Sequence, residues 1–431
     1  MLDINYIREN RGKVEAAVIN KGCDVSVAEL LELDERRKSL GQKVDSFRQE
    51  RNEIAGKMKN GKPEKELVER GRGVKAELVK LEGELAEIEG RYITLLKLVP
   101  NVPCDDVPVG LSEDENVVAE VVGEPTKFDF VPKNHYEIGM SRGWIDKERA
   151  AKVVGSRFAY IMGDMVKLQM AIVNFVIASL TDERVMREIV EKNGLDVSVK
   201  PFVPVLPPLM IRTDMYDAMD RLEPRDDRYK IEGEDLWLQG SAEHVLGSMH
   251  AGEIFEKDEL PLRYLGYATS FRQEAGTYGK DMEGIIRMHQ FDKLEMESFS
   301  TAETSRSEHE LFVAIQRWLL EKLALPYQVI EKCTFDIGKP DARAIDMEVW
   351  LPGQDKYRET HTADYMTDYQ SRRLNIRVKT KGGLELVHTN DATAFALGRI
   401  MIAIIENYQN EDMTVRVPEV LKPFINGKEK I

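Results

Sequence analysis

Six residues in one short stretch could do chemistry together: Arg272, Glu274, Arg287, Phe291, Lys293 and Glu295. They lie in LGYATSFRQEAGTYGKDMEGIIRMHQFDKLEME, residues 265 to 297, where two extended runs flank a turn-rich segment containing Gly276, Gly279 and Gly284. That pattern predicts a β-hairpin. Side chains alternate along a strand, so Ser270, Arg272 and Glu274 share a face on the first run, and Arg287, Phe291, Lys293 and Glu295 share one on the second. Ile286, Met288, Leu294 and Met296 fall on the opposite face. Two guanidiniums, a ring and carboxylates on one surface fit a planar base and an anionic phosphate chain better than a solvated strand face.

Around the hairpin, Phe271-Arg272-Gln273-Glu274, Gly284-Ile285-Ile286-Arg287 and His289-Gln290-Phe291 resemble motif 2 of class II aminoacyl-tRNA synthetases, most closely the seryl enzymes. The rest of the chain extends the likeness. An apolar helix near Met165 to Leu180, then PFVPVLPPLM with Pro207, resembles motif 1, which in that class builds a dimer interface. Gln239-Gly240-Ser241-Ala242-Glu243 resembles the Thr-x-Glu amino-acid loop, with Ser241 for Thr. Tyr357-Arg358-Glu359-Thr360-His361-Thr362 matches a magnesium and ATP segment. Its continuation departs from the common bacterial pattern, reading His361-Thr362-Ala363-Asp364-Tyr365 for Ser-Ser-Cys-Ser-Asn. LELVHTND reads as a strand, and Ala392 to Gln409 reads as a helix that is apolar nearly all round and so is buried. Arg399 falls in its middle. Its two readings are an internal ion pair, Glu406 being a candidate, and the arginine of motif 3. Asp391 stands where Asn is usual.

The elements needed to carry these residues are legible in outline. Leu33, Leu40, Val44, Phe47, Ile54 and Met58, then Leu67, Gly71, Val74, Leu78, Leu81, Leu85, Ile88, Tyr92 and Leu95, follow a heptad spacing that skips Arg37 and Arg51. Two helices joined at Asn60-Gly61-Lys62-Pro63 form an antiparallel coiled coil. About 30 residues of helix project ~45 Å. From Lys43 to Lys75 there are ten Lys or Arg and six Asp or Glu, a local basic excess in a chain of net charge −15. Basic side chains there suit a phosphate backbone, whereas the acidic whole argues against nonspecific nucleic-acid binding.

Composition sets the remaining bounds. The chain has 431 residues, 42% hydrophobic and 32% charged, enough for two or three domains. No apolar run reaches membrane-spanning length, and MLDINYIREN lacks the apolar core of a signal peptide. Cys23, Cys104 and Cys333 are few and far apart, which fits a reducing cytoplasm and gives no zinc spacing.

The expected fold class is α+β: an antiparallel class II β-sheet core flanked by helices, with an N-terminal antiparallel α-helical coiled-coil arm. Expected domains are 1–105 (arm 29–97), a Pro-rich acidic linker at 106–134, and a catalytic domain at 135–431. The resemblance implies activation of L-serine with ATP and Mg²⁺ and transfer to tRNA(Ser), tRNA(Sec) being a second candidate, by a cytoplasmic homodimer. No zinc, DNA or membrane partner is expected. It further implies that Arg272 contacts the α-phosphate and the serine carboxylate. Arg287 and Arg399 meet the other phosphates, Phe291 and Arg399 sandwich the adenine, and Glu274 reads its amine. Glu359 and Thr362 hold Mg²⁺. Glu243 and Ser241 bind the serine ammonium, while Glu295 and Thr393 bind its hydroxyl. Thr277 to Glu283 would meet the tRNA acceptor end, although Glu283 stands where a basic residue is common. Three rivals share parts of this pattern: a ligase that loads an amino acid onto a carrier protein, a non-enzymatic synthetase relative, and another class II synthetase. The arm argues against the first, the intact set of ATP-site residues against the second, and the hairpin with the arm against the third.

Overall fold

A computed structural model describes residues 1–59, 64–275 and 284–431. The helix-joining turn at 60–63 and the hairpin loop at 276–283, with the acceptor-end expectation for Thr277 to Glu283, lie outside the described residues. Clustering of contacts divides the chain into two compact units, Met1–Val102 and Pro103–Ile431.

In the first unit two short helices, α1 (Ile4–Glu9) and α2 (Arg11–Asn20), precede the long helices α3 (Val27–Met58) and α4 (Lys65–Leu98). Ser26 starts α3 by accepting the Glu29 N–H at 3.2 Å, which satisfies one of the donors a helix start leaves open. The long helices run antiparallel, because partners on α4 recede as α3 advances: Glu29 with Arg91, Arg48 with Glu82, Glu50 with Arg70. Val44, Leu78 and Leu81 are buried between them with Leu40, Phe47 and Leu85. The heptad gap at Arg37 is filled by its guanidinium, 4.5 Å from the Tyr92 ring centroid and 2.9 Å from buried Asp34. At Gly71 the helices come close enough that a Cβ would lie 3.3 Å from Ile54 Cγ2.

The second unit is built on an eight-stranded sheet. In chain order its strands are β1 (Val117–Val122), β2 (Val203–Val205), β3 (Leu262–Phe271), β4 (Gln290–Ser300), β5 (Tyr327–Glu331), β6 (Arg343–Leu351), β7 (Lys356–Thr367) and β8 (His388–Ala396). Their spatial order is β1-β5-β6-β7-β8-β4-β3-β2. Every pairing is antiparallel except β2 with β3. Helices α5 (Asp164–Leu180), α6 (Ser305–Lys322) and α7 (Leu397–Asn407) bury one face of this sheet in a single core. Leu168, Ile172, Leu311, Ile315, Ile400 and Ile404 pack there with Leu294, Met296, Ala363 and Ala392. The alternation rule accounts for this: Leu294 and Met296 turn to the helices, and Lys293 and Glu295 turn away.

Two expectations need correction. Residues 106–134 are not a free linker: Val117–Val122 pairs with Tyr327–Glu331 as the edge strand β1, Thr334 N–H donates to Pro108 O at 2.8 Å, and Lys133 N–H donates to Gln409 Oε1 at 2.7 Å. Prolines and charges suit an edge strand as well as a linker. The helix read as Ala392 to Gln409 begins at Leu397, because Ala392–Ala396 belongs to central strand β8, whose apolar run has no distinguishing period.

Candidate active site

The sheet face turned away from the helices carries a cavity where β3 and β4 end. Phe291 lies opposite Ser270, Lys293 opposite Ala268 and Glu295 opposite Gly266, so small residues on β3 make room for large ones on β4. A Cβ on Gly266 would come 2.6 Å from Leu246 Cδ1. Beyond Phe271 the alternation stops: residues 272–274 and 284–289 are not strand, and Glu274 has a left-handed φ of 54°. Ile286 and Met288, assigned by parity to the other face, therefore line the cavity beside Arg287.

Strands β7 and β8 open the cavity by parting. They pair from Thr367 back to Ala363 and no further. Buried Gln316, on α6, spans the gap, its Nε2 donating to Thr362 O at 2.7 Å and to Thr393 O at 2.9 Å. The base of the hairpin loop is fixed by His135. Its Nε2 accepts the Ile285 N–H at 3.3 Å, so its Nδ1–H donates to Glu406 Oε1 at 2.8 Å. Gly284, with φ 69°, sits so close that a Cβ would lie 1.9 Å from His135 Nε2.

The resulting cavity, about 230 Å³, brings together Glu243, Arg272, Glu274, Arg287, Phe291, Glu359, Thr362, Thr393 and Arg399. An adjoining one of about 320 Å³ shares Arg287, Glu359 and Arg399 and adds Lys356 and Arg358. Arg272 is aimed by its Nε, which donates to Gly240 O at 2.8 Å, and its guanidinium lies 5.4 Å from the Phe291 centroid. Arg287 Nη1 is 2.5 Å from Glu274 Oε2. Arg399 is the third residue of α7 and half-buried, not in the helix middle. Its partner is Glu359, with Nη1 donating to Oε1 at 2.8 Å and to the carbonyl at 3.0 Å; Glu406 is committed to His135. Desolvation raises the Glu359 pKa, but Arg399 and Lys332 outweigh it and hold the carboxyl ionised.

Ser241 and Glu295 are brought to the same place but lie behind Lys293. Its Nζ donates to Ser241 Oγ at 2.9 Å, lies 3.6 Å from Glu243 Oε2, and makes a short ion pair with Glu295. Burial raises both carboxyls. For Glu243 the Lys293, His244 and Arg221 charges outweigh it and push the pKa well below the usual range, while for Glu295 burial prevails over Lys293. Parity had placed Lys293 on this face without a role. Arg221, Gln316 and His135 were missed: each acts across more than 40 residues of sequence, and none carries a local motif.

Magnesium takes one or two carboxylates and lets substrate phosphates complete its shell. Glu359 supplies a carboxylate at the cavity wall, and Thr362 supplies a hydroxyl whose Oγ1 donates to Asp364 Oδ1 at 3.3 Å. Buried Asp346, cross-strand from Thr362, has an Oδ1 without a hydrogen bond. This hard-oxygen set fits the ion. No group of three or more His, Cys, Asp or Glu arranged to hold a metal occurs among the described residues.

Residues 228–408 match the tRNA synthetase class II core domain (G, H, P, S and T), and residues 1–103 match the seryl-tRNA synthetase N-terminal domain. A serine–tRNA ligase of Geobacter sulfurreducens is 38% identical over 437 residues, with all of both chains covered. The chain belongs to the serine–tRNA ligase family. A serine–tRNA ligase of the archaeon Methanocella arvoryzae is also 38% identical, again over the whole of both chains. The likeness extends to three dimensions. The Pyrococcus horikoshii seryl-tRNA synthetase complexed with ATP superposes with a TM-score of 0.88 at 36% identity, covering 100% of this chain and 99% of that one. The cytoplasmic serine–tRNA ligase of Naegleria fowleri in complex with AMP gives 0.84 at 27% identity, covering 100% and 98%. The α+β class II fold with an N-terminal helical arm is thus the fold of this serine–tRNA ligase family member.

Proposed function

We propose that this chain activates L-serine with ATP and transfers the seryl group to the 3′ end of tRNA(Ser). The observation that carries the reading is one cavity with three guanidiniums, Arg272, Arg287 and Arg399, along one part and Glu243 and Thr393 at another. In the first step a serine carboxylate oxygen bonds to the α-phosphorus of ATP, and the bond to the bridging oxygen breaks, releasing pyrophosphate. Two anions must meet, so positive charge and positioning are the main requirements. Arg272, aimed by Gly240, touches the α-phosphate and the serine carboxylate. Arg287 and Arg399 receive the remaining phosphates by exchanging their present partners, Glu274 and Glu359. Phe291 stacks on the adenine with Arg399 on its other side, and Glu274 accepts from the adenine amine. Held by Glu359 and Thr362, Mg²⁺ would offset pyrophosphate charge. In the second step the 3′-terminal ribose hydroxyl attacks the seryl carbonyl and AMP leaves.

Serine is seated by Glu243 and Ser241 at its ammonium and by Glu295 and Thr393 at its hydroxyl. Because Lys293 sits among Ser241, Glu243 and Glu295 in the chain alone, the substrate ammonium shares or displaces its contacts. Buried polar groups left unpaired reject an analogue without the hydroxyl by about 10⁴ or more. The helical arm supplies the tRNA contact as a coiled coil, with tRNA(Sec) as a second substrate. Homodimerisation is supported by the short edge strand β2, with Val203 on it and Leu206 and Met210 just after it exposed; the setting is the cytoplasm. Pyrophosphate exchange across a panel of amino acids tests the assignment. Exchange dependent on serine is expected, and comparable exchange with alanine would sink it.

A further inference from the structure

Beneath the amino-acid end of the cavity the sheet sets carboxyls side by side. Asp364 on β7 is directly opposite Asp391 on β8, which is directly opposite Glu297 on β4. Residues so paired have Cβ atoms about 5 Å apart, and like charges there repel. Asp341, in the loop before β6, brings another buried carboxyl to the row.

One cation reaches three of the four. Arg221 Nη2 lies 3.3 Å from Asp341 Oδ1, 3.6 Å from Asp391 Oδ2 and 3.7 Å from Asp364 Oδ2. Gly338 leaves space for this junction, since a Cβ there would come 2.3 Å from Asp341 Oδ2 and 3.3 Å from Arg221 Nη1. Asp391 is 2% exposed, and its Oδ2 accepts no hydrogen bond. Arg221, Asp364 and Asp391 all line the cavity with Thr393. The junction is therefore part of the pocket wall and two residues along β8 from the proposed serine contact.

We infer that Arg221 is a positioning residue for the amino-acid site: it is the counter-charge that Asp341, Asp364 and Asp391 share, so that strands β7 and β8 hold Thr393 in place and the pocket floor accepts a substrate carboxylate nearby. The inference rests on the serine-activation reading. Without the guanidinium, buried carboxylates would repel the nucleophile that must reach ATP and would offer its ammonium a second anionic seat. Among the described residues no hydrogen bond or ion pair joins Arg287 or Arg399, at the ATP end, to this junction, their partners being Glu274 and Glu359, so the loss is expected at the amino acid.

The test is serine-dependent pyrophosphate exchange by the full chain with Arg221→Gln, alone and combined with Asp391→Asn. Removing the buried counter-charge is expected to raise the serine KM about tenfold or more with ATP KM within about threefold, and Asp391→Asn is expected to shrink that effect at least threefold. Equal effects in the two backgrounds, or an ATP KM rising in parallel, would overturn the inference in favour of a purely structural arginine. If Arg221→Gln does not melt cooperatively, Arg221→Lys decides, because it keeps the charge and loses the fork. A serine KM within about fivefold of the parent then supports neutralisation, and a larger rise counts against it. Parent exchange that ignores serine would instead sink the activity reading.

Discussion

Arg399 Nη1 lies 2.8 Å from Glu359 Oε1, one from the first turn of a helix and the other from a strand forty residues earlier. Both face the same cavity, and each is proposed to meet ATP, so their mutual bond pairs within the chain two charges that the proposed reaction would draw apart. Replacing Arg399 with Gln removes a donor aimed at developing phosphate charge. Exchange should fall by about 10² to 10³. The melting temperature should change little, because the Glu359 side chain is 49% exposed and half-exposed pairs add little stability. Full exchange activity in this variant would remove Arg399 from the mechanism.

Lys293 presents the opposite balance. Its ammonium is enclosed with Glu243 and Glu295, and Lys293→Met leaves buried carboxylates without their cation. Such losses cost about 3 to 5 kcal/mol, readable as a lower urea midpoint at unchanged slope. Adding Glu295→Met should recover part of that loss. An unaltered midpoint for the single variant would mean that the pair contributes nothing.

Glu297 makes a pH prediction. Neither of its carboxyl oxygens has a hydrogen-bond partner, and burial, then Asp391, Glu243 and Glu295, push its pKa well above 4.5 against the pull of Arg221. The folded chain therefore holds a proton that the unfolded chain has already released. Stability is full below the unfolded value near 4.5 and declines as pH rises through the folded pKa. Glu297→Gln, which cannot ionise, should flatten the decline of stability as pH rises above the unfolded carboxyl value in chemical unfolding. An unchanged slope would assign the alkaline loss to other groups.

The arm can be separated from the chemistry. With residues 29–97 replaced by a short linker, serine-dependent exchange should persist while tRNA charging collapses. Undiminished charging would reduce the long helices to a spacer.

Local periodicity made half of this architecture legible. The heptads predicted α3 and α4, and parity put Lys293 beside Glu295 on one face of its strand and Leu294 with Met296 on the other, because each rule concerns neighbours along one element. It failed at Ile286 and Met288, where the backbone had left the strand, and at Ala392–Ala396, where a fully buried strand has no alternation to show. Arg221 was beyond reach for a different reason. Its three aspartates come from separate segments, the loop before β6 and strands β7 and β8, and only the fold makes them neighbours. Composition marked 106–134 as a linker because an edge strand tolerates the same residues that a linker does.

Phe291, Lys293, Glu295 and Glu297 stand on one face of β4 at alternate positions. A strand is a ruler graduated every 3.3 Å or so, so the proposed seat for the base at Phe291 and the proposed seat for the amino-acid hydroxyl at Glu295 are about 13 Å apart by backbone geometry alone. Side-chain substitutions can retune either seat, but they leave this interval unchanged. A one-residue insertion between Phe291 and Glu295 would turn one of the two seats into the core, which makes the length of this segment as strict a requirement as the identity of any residue in it.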